Sequence, residues 1–81
     1  MEYELMRLCE LPAHAAGVVE AVDECDMRER LEGLGLTPGA EVVRLFSAPC
    51  GEPTAYSVRG SVAALRRRDA AAVTVRVRIW D

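Results

Sequence analysis

The thiols and the single imidazole are the side chains of this sequence best suited to bind a metal ion. They occur at Cys9, His14, Cys25 and Cys50. Structural zinc sites usually draw their ligands from close pairs such as Cys-x-x-Cys, and no such pair occurs in the sequence. The odd number of cysteines, at unrelated spacings, also does not fit a disulfide framework. We therefore predict three thiols in a reducing compartment and no specific metal site.

Groups for acid–base or covalent catalysis are equally sparse. The chain has one histidine, no glycine-rich phosphate loop and no nucleophile with a plausible base near it in the sequence. A substrate pocket would also take up much of the core of an 81-residue chain. We predict a protein that is not an enzyme and needs no cofactor.

Arginine supplies all ten basic residues, and two groups of arginines could contact another molecule. The first is the basic run Arg66–Arg68, and the second is Arg76 and Arg78, which alternate toward one strand face with Trp80. Charge runs are most often solvated, and a net charge of −3 argues against general nucleic-acid binding. A tryptophan on an arginine-lined strand suits a protein contact or the edge of a homo-oligomer.

The segment Ala48–Pro53, APCGEP, predicts a stiff exposed loop between two strands. Its two prolines reduce the entropy lost when a partner fixes the loop. The tip offers Cys50 and Glu52 at little structural cost, and Glu52 could pair with a cation of the partner. We assign partner binding to this loop, with the C-terminal strand as the competing surface. The assigned residues are Pro49, Cys50, Gly51, Glu52 and Pro53, and the competing ones are Arg76, Arg78 and Trp80.

Short strands separated by turn signals must position these residues. The clearest strand is C-terminal, with an aliphatic residue at every second position from Val73 to Ile79. A shorter strand at 56–59 leads through a turn at Gly60 and Ser61 into a third strand, Val62–Arg66. The segments 17–23 and 40–47 are valine-rich and predict strands, but their pattern does not show which face of each strand is buried. The stretch 3–9 is a further candidate strand.

One short helix is predicted from Met27 to about Leu34. Asp26 is a suitable N-cap, and Glu29 completes a capping-box pattern. Gly35 can end the helix in the left-handed conformation. The apolar stripe of this helix consists of Met27, Leu31 and Leu34. A second helical turn is expected at 68–71, before the last strand.

These elements predict a single domain over residues 1–81. A helix of two turns cannot cover a large open sheet, so the sheet must curl to bury its valines. The fold class is therefore mainly β, a small barrel with one short α-helix. The longest uncharged run, residues 11–19, is shorter than the ~20 apolar residues that span a bilayer, and the acidic N-terminus does not fit a signal peptide. We predict a cytoplasmic protein without direct membrane insertion.

Three segments resemble the FeoA family in their order and spacing. They are RLEGLGLTPGAEV at 30–42, APCGEP at 48–53 and YSVRGSVAALRRRDAAAVTV at 56–75. The family pattern contains a Leu-Gly-aliphatic-x-Pro-Gly turn, an Ala-Pro-x-Gly-Asp-Pro loop and a Gly-x-x-x-(Ala)-Leu-Arg segment before a final valine strand. Glu52 stands where the family usually has Asp. Cys50 and the tail 76–81 lie outside the common pattern.

The resemblance implies an SH3-like barrel that serves bacterial ferrous-iron uptake as a cytosolic accessory. Its implied partner is FeoB, the membrane transporter with a cytosolic GTP-binding domain, which it would bind or modulate. FeoA-like modules also occur in metal-responsive repressors, but this sequence has no helix-turn-helix region to bind DNA. The alternative function is a small metal-binding chaperone or sensor with cysteine and histidine ligands.

Overall fold

Antiparallel pairing joins six strands into one sheet in the computed structural model, which describes residues 2–78. The strands are β1 Tyr3–Arg7, β2 Ala16–Val22, β3 Glu41–Ser47, β4 Thr54–Val58, β5 Ser61–Leu65 and β6 Val73–Arg78. Two short helices, α1 Arg28–Gly33 and α2 Arg67–Ala70, and a 3₁₀ turn at Leu8–Glu10 complete the order. The mainly β prediction is confirmed, and α2 is the helical turn expected before the last strand.

The strands lie in the order β1-β6-β2-β3-β4-β5, so the N-terminal strand pairs with the C-terminal one. In the described part of the chain β1 and β5 are the two edges of this sheet, and no ladder joins them. The sheet is therefore open along one seam and not a fully hydrogen-bonded barrel.

The core lies on the inner side of the sheet, where the apolar residues of the strands meet those of the connections. Val73 and Val75 of β6 are fully buried, as their alternation predicts. Leu31 of α1 and Leu36 after it close one end of the core. The other fully buried large side chains are Leu8, Leu11, Val19, Val42, Tyr56 and Val58.

Helix α1 begins later than the sequence suggests. Its N-cap is Met27, without a side-chain cap, and the helix starts at Arg28. Asp26 lies in the turn before it, which the Arg28 amide closes by donating to the Cys25 carbonyl at 3.1 Å. The predicted Asp26 capping box is therefore wrong. The predicted stripe is confirmed: Leu31 is fully buried, and Met27 and Leu34 pack partly buried against the core.

Two strands carry a register shift. The β2–β6 ladder slips between Val19 and Ala21, and the β3–β4 ladder slips between Arg44 and Phe46. A bulge adds one residue and reverses the alternation of faces beyond it.

None of the helices within residues 2–78 has the length and apolar content that a membrane span requires.

Candidate partner-binding surfaces

The outer face of β1, β6 and β2 brings apolar and cationic side chains together. Leu5 pairs with Arg76, and Val18 pairs with the same arginine from the other side. Tyr3 pairs with Arg78 one step along the ladder. Tyr3 is 53% exposed and Leu5 is 60% exposed, so both add apolar area to this surface beside the arginines. We call these five residues the outer-face patch.

Arg76 is held in place within the patch by two neighbours. Its Cζ lies 5.8 Å from the centroid of the Tyr3 ring, within the range of a cation–π contact. Its buried Nε lies 2.8 Å from Oε1 of Glu20, although the N–H is not aligned for a hydrogen bond. The guanidinium is thus partly covered on the strand.

An open groove runs along this patch. Tyr3 and Arg76 line one part of it, and Ala16, Val18 and Glu41 continue it across β2 toward the start of β3. The groove combines apolar walls with charges of both signs, which suits a segment of another protein better than a single small anion. Arg78 also lines it, whereas Trp80 lies outside the described residues.

The Pro49–Pro53 loop is exposed throughout, as predicted. It nevertheless makes one hydrogen bond within itself and one to α2. The Cys50 thiol donates to the Glu52 carbonyl at 3.0 Å. Oε1 of Glu52 accepts a hydrogen bond from the backbone N–H of Arg67 at 2.6 Å, at the first residue of α2. The Glu52 carboxylate therefore ties the loop to α2 and is not simply available to a partner.

The bond between Glu52 and Arg67 shows that the basic run lies next to this loop. Arg66, Arg67 and Arg68 are all exposed, and none of the ion pairs among residues 2–78 involves them. The charge of this end of the molecule is thus set by three arginines more than by Glu52. It favours an acidic partner, in contrast to the basic partner that Glu52 alone suggests.

The two predicted contact surfaces are not brought together. The groove reaches Glu41 at the start of β3, while the Pro49–Pro53 loop follows Ser47 at its end. A strand of this length spans about 20 Å at ~3.3 Å per residue. The loop and the arginines of β6 are therefore separate candidate sites.

The cysteines and the histidine do not assemble into a ligand set. Cys9, Cys25 and Cys50 are free thiols, and within residues 2–78 no three cysteine, histidine, aspartate or glutamate side chains cluster closely enough to hold a metal ion. Exposed Tyr3 and Leu5 are candidate contact residues that the sequence analysis did not name, because nothing in their own pattern shows that β1 pairs beside β6.

Comparison with protein families supports the resemblance noted in the sequence. The FeoA domain family matches residues 6–77. Comparison with curated protein sequences gives no match.

Several solved structures share this fold. The FeoA protein of Chlorobium tepidum is 35% identical, with a TM-score of 0.84 over 94% of this chain and 73% of that one. FeoA of Stenotrophomonas maltophilia, solved with zinc, is 37% identical, with a TM-score of 0.78 over 86% of this chain and 88% of that one. That protein is described as a procaryotic SH3 domain protein and a candidate activating factor of bacterial ferrous-iron transport.

More distant neighbours share the architecture alone. A manganese-dependent transcriptional repressor is 16% identical, with a TM-score of 0.79 over 88% of this chain and 35% of that one. The match at 6–77 and the two FeoA structures described above, at 35% and 37% identity, support the assignment. We conclude that the chain has the SH3-like fold, belongs to the FeoA family and has a part in ferrous-iron transport.

Proposed function

We propose that the protein acts in the cytoplasm as an accessory of a FeoB-type ferrous-iron transporter and binds its cytosolic part. The proposal rests on membership of the FeoA family and on the outer-face patch. A small domain that leaves Tyr3 and Leu5 more than half exposed beside Arg76 carries the residue types that dominate protein interfaces.

The outer-face patch is a better contact site than the Pro49–Pro53 loop. Burial of Leu5 and Tyr3 under a partner would remove apolar area from water at about 25 cal/mol per Å². The one acid of the loop, Glu52, is already bonded to the Arg67 amide of α2. Trp80, which the sequence places on the same strand, stays a predicted contributor to this surface or to self-association.

The test is a titration of the purified protein with the cytosolic domain of the FeoB-type transporter from the same organism. Leu5→Ser should weaken binding about tenfold or more, because truncation of a central anchor of an interface costs about 2 kcal/mol or more. Phe46→Ser is the matched control, since Phe46 is 68% exposed on β3, away from the patch. Both variants should melt like the parent protein.

A third variant examines the loop. Pro49→Ser combined with Cys50→Ser leaves the bond between Glu52 and Arg67 in place. Loss of binding in this loop variant, with Leu5→Ser binding normally, would move the contact to the loop. Absence of any complex with the parent protein would refute the proposed partner.

A further inference from the structure

Strand β5 is an edge of the sheet that lacks the usual protection. Only β4 pairs with it among the described residues. Its five residues, Ser61–Leu65, include no charge, no proline and no register shift. Natural edge strands usually carry at least one of these features to prevent pairing with another chain. The other edge, β1, carries charges at Glu4 and Arg7.

The hairpin geometry shows which backbone groups of β5 face outward. Arg59 and Gly60 form its two-residue turn, with φ of 50° and 83°, as in a type I′ turn. The flanking pair, Val58 and Ser61, then exchanges hydrogen bonds, and the pattern repeats at every second residue. The N–H and C=O groups of Val62 and Ala64 therefore point to the open edge.

The side chains along this edge favour an apolar strand. Val62 is 67% exposed on the outer face, and Ala64 is exposed on the same face. An added strand would place its own outward side chains beside these two residues, at the distance of cross-strand pairs. Aliphatic or threonine side chains would cover Val62.

The charge at the end of β5 is positive. Arg66, Arg67 and Arg68 follow Leu65 directly and are exposed, without ion pairs among the described residues. The nearest loop acid, Glu52, is engaged by the Arg67 amide. A second copy of this chain would bring like charges together in antiparallel pairing of two β5 strands, because Arg59 and Arg66 flank the strand at its two ends.

We propose that β5 is a docking edge for an extended segment of another protein, in which acidic residues adjoin alternating aliphatic residues. The segment adds as a strand to β5, bonds to Val62 and Ala64, and places its acids beside Arg66–Arg68. This surface is separate from the outer-face patch of β1 and β6. The inference does not depend on the proposed binding to the transporter.

The probe is a short capped peptide in which glutamates precede alternating valines and threonines. Its binding is followed by calorimetric titration and by hydrogen exchange of backbone amides in the full chain. We expect slower exchange at Val62 and Ala64 but no change at Ala63, whose amide already faces β4. A peptide with lysines in place of the glutamates should bind several-fold more weakly.

Two protein variants test the backbone bonds and the charge preference, and a modified peptide replaces the first variant if that variant does not fold. Ala64→Pro removes an outward N–H without removing a bond to β4, and it should abolish binding while the thermal melt stays close to that of the parent. Arg66→Glu with Arg68→Glu should weaken binding of the acidic peptide and favour the lysine peptide. If Ala64→Pro fails to fold, the peptide is modified instead. N-methylation of its amides that face β5 removes their hydrogen bonds to Val62 and Ala64 and should likewise abolish binding.

Three results would overturn the proposal. One is peptide binding without protection of Val62 and Ala64. Another is equal affinity for the acidic, lysine and N-methylated peptides. The third is a concentration-dependent dimer in sedimentation that Ala64→Pro abolishes, which would identify a second copy of this chain as the occupant of the edge.

Discussion

The side chain of Arg59 closes over the turn at Gly35, although 23 residues separate them in the sequence. Nε of Arg59 donates to the Gly35 carbonyl at 3.3 Å, and an Nη donates to the Thr37 hydroxyl at 3.1 Å. A Cβ built on Gly35 would lie 3.2 Å from Arg59 Cδ and 3.2 Å from Val58 Cγ1. The hairpin of β4 and β5 thus fixes the C-terminal end of α1.

Gly35→Ala should destabilise the protein more than Gly39→Ala. Both glycines have positive φ, 102° and 93°, so alanine costs about 1–2 kcal/mol of backbone strain at either position. Only Gly35 adds close contacts, because nothing lies within 4 Å of a Cβ on Gly39. Urea unfolding of both variants measures the difference. Equal losses would mean that Arg59 and Val58 move aside without cost.

Leu31→Ala should cost about 2–5 kcal/mol, because it removes a fully buried side chain and leaves a cavity. In so small a domain this can be most of the total stability. Leu34→Ala, at a partly buried position of the same stripe, should cost less. A melting temperature that Leu31→Ala leaves unchanged would contradict the position of α1 on the core.

The sequence predicts the parts of this fold that have simple periodicity. Val73 and Val75 alternate with polar residues on β6, and the structure buries them as expected. Which side chains of β2 and β3 point into the core could not be predicted, because a bulge after Val19 and another after Arg44 break the two-residue period. A local shift of this kind depends on the partner strand and leaves no clear trace in the strand's own residues.

The candidate sites could likewise be predicted only in their local features and not in their long-range contacts. The exposure of the Pro49–Pro53 loop could be predicted from its prolines and glycine. The bond from its Glu52 to the Arg67 amide joins residues 15 apart and depends on tertiary contact. The pairing of β1 with β6, which creates the outer-face patch, is longer-range still, since Leu5 and Arg76 lie near opposite ends of the chain.

Glu52→Ala should destabilise the protein by about 0.5–2 kcal/mol, the usual effect of losing a helix cap. The carboxylate supplies an acceptor for the first amide of α2, which has no other partner within the helix. Glu52→Gln keeps an acceptor oxygen and should retain most of this stability. Chemical unfolding compares the two variants. Equal stability of Glu52→Ala and the parent would show that solvent replaces the carboxylate.

The purified protein should contain well below one equivalent of iron or zinc when no metal is added. Cys9, His14, Cys25 and Cys50 do not form a group of three ligands in the described chain. Elemental analysis of the protein as purified gives the answer directly. One tightly held ion that Cys→Ser substitution removes would favour the alternative of a metal chaperone or sensor, which the zinc-bound relative brings into consideration.

Alkaline pH should unfold the protein partly through Tyr56. Burial raises the pKa of this phenol above its ordinary value of 10.0, with a smaller opposing effect from Arg44. The folded state therefore keeps its proton when the unfolded chain has lost it. This stabilising contribution is complete below pH 10 and is lost as the pH rises toward the higher pKa of the folded state, by at most about 1.4 kcal/mol per pH unit.

Tyr56→Phe removes this titration but keeps the buried ring. We expect the variant to lose less stability than the parent between pH 9 and 11, because its buried ring has no phenol proton to lose. Tyr3→Phe is the matched control, since its ring is half exposed, and its alkaline decline should follow that of the parent. Urea midpoints across this pH range measure all three proteins. Parallel curves for the parent and Tyr56→Phe would show that other groups account for the alkaline loss.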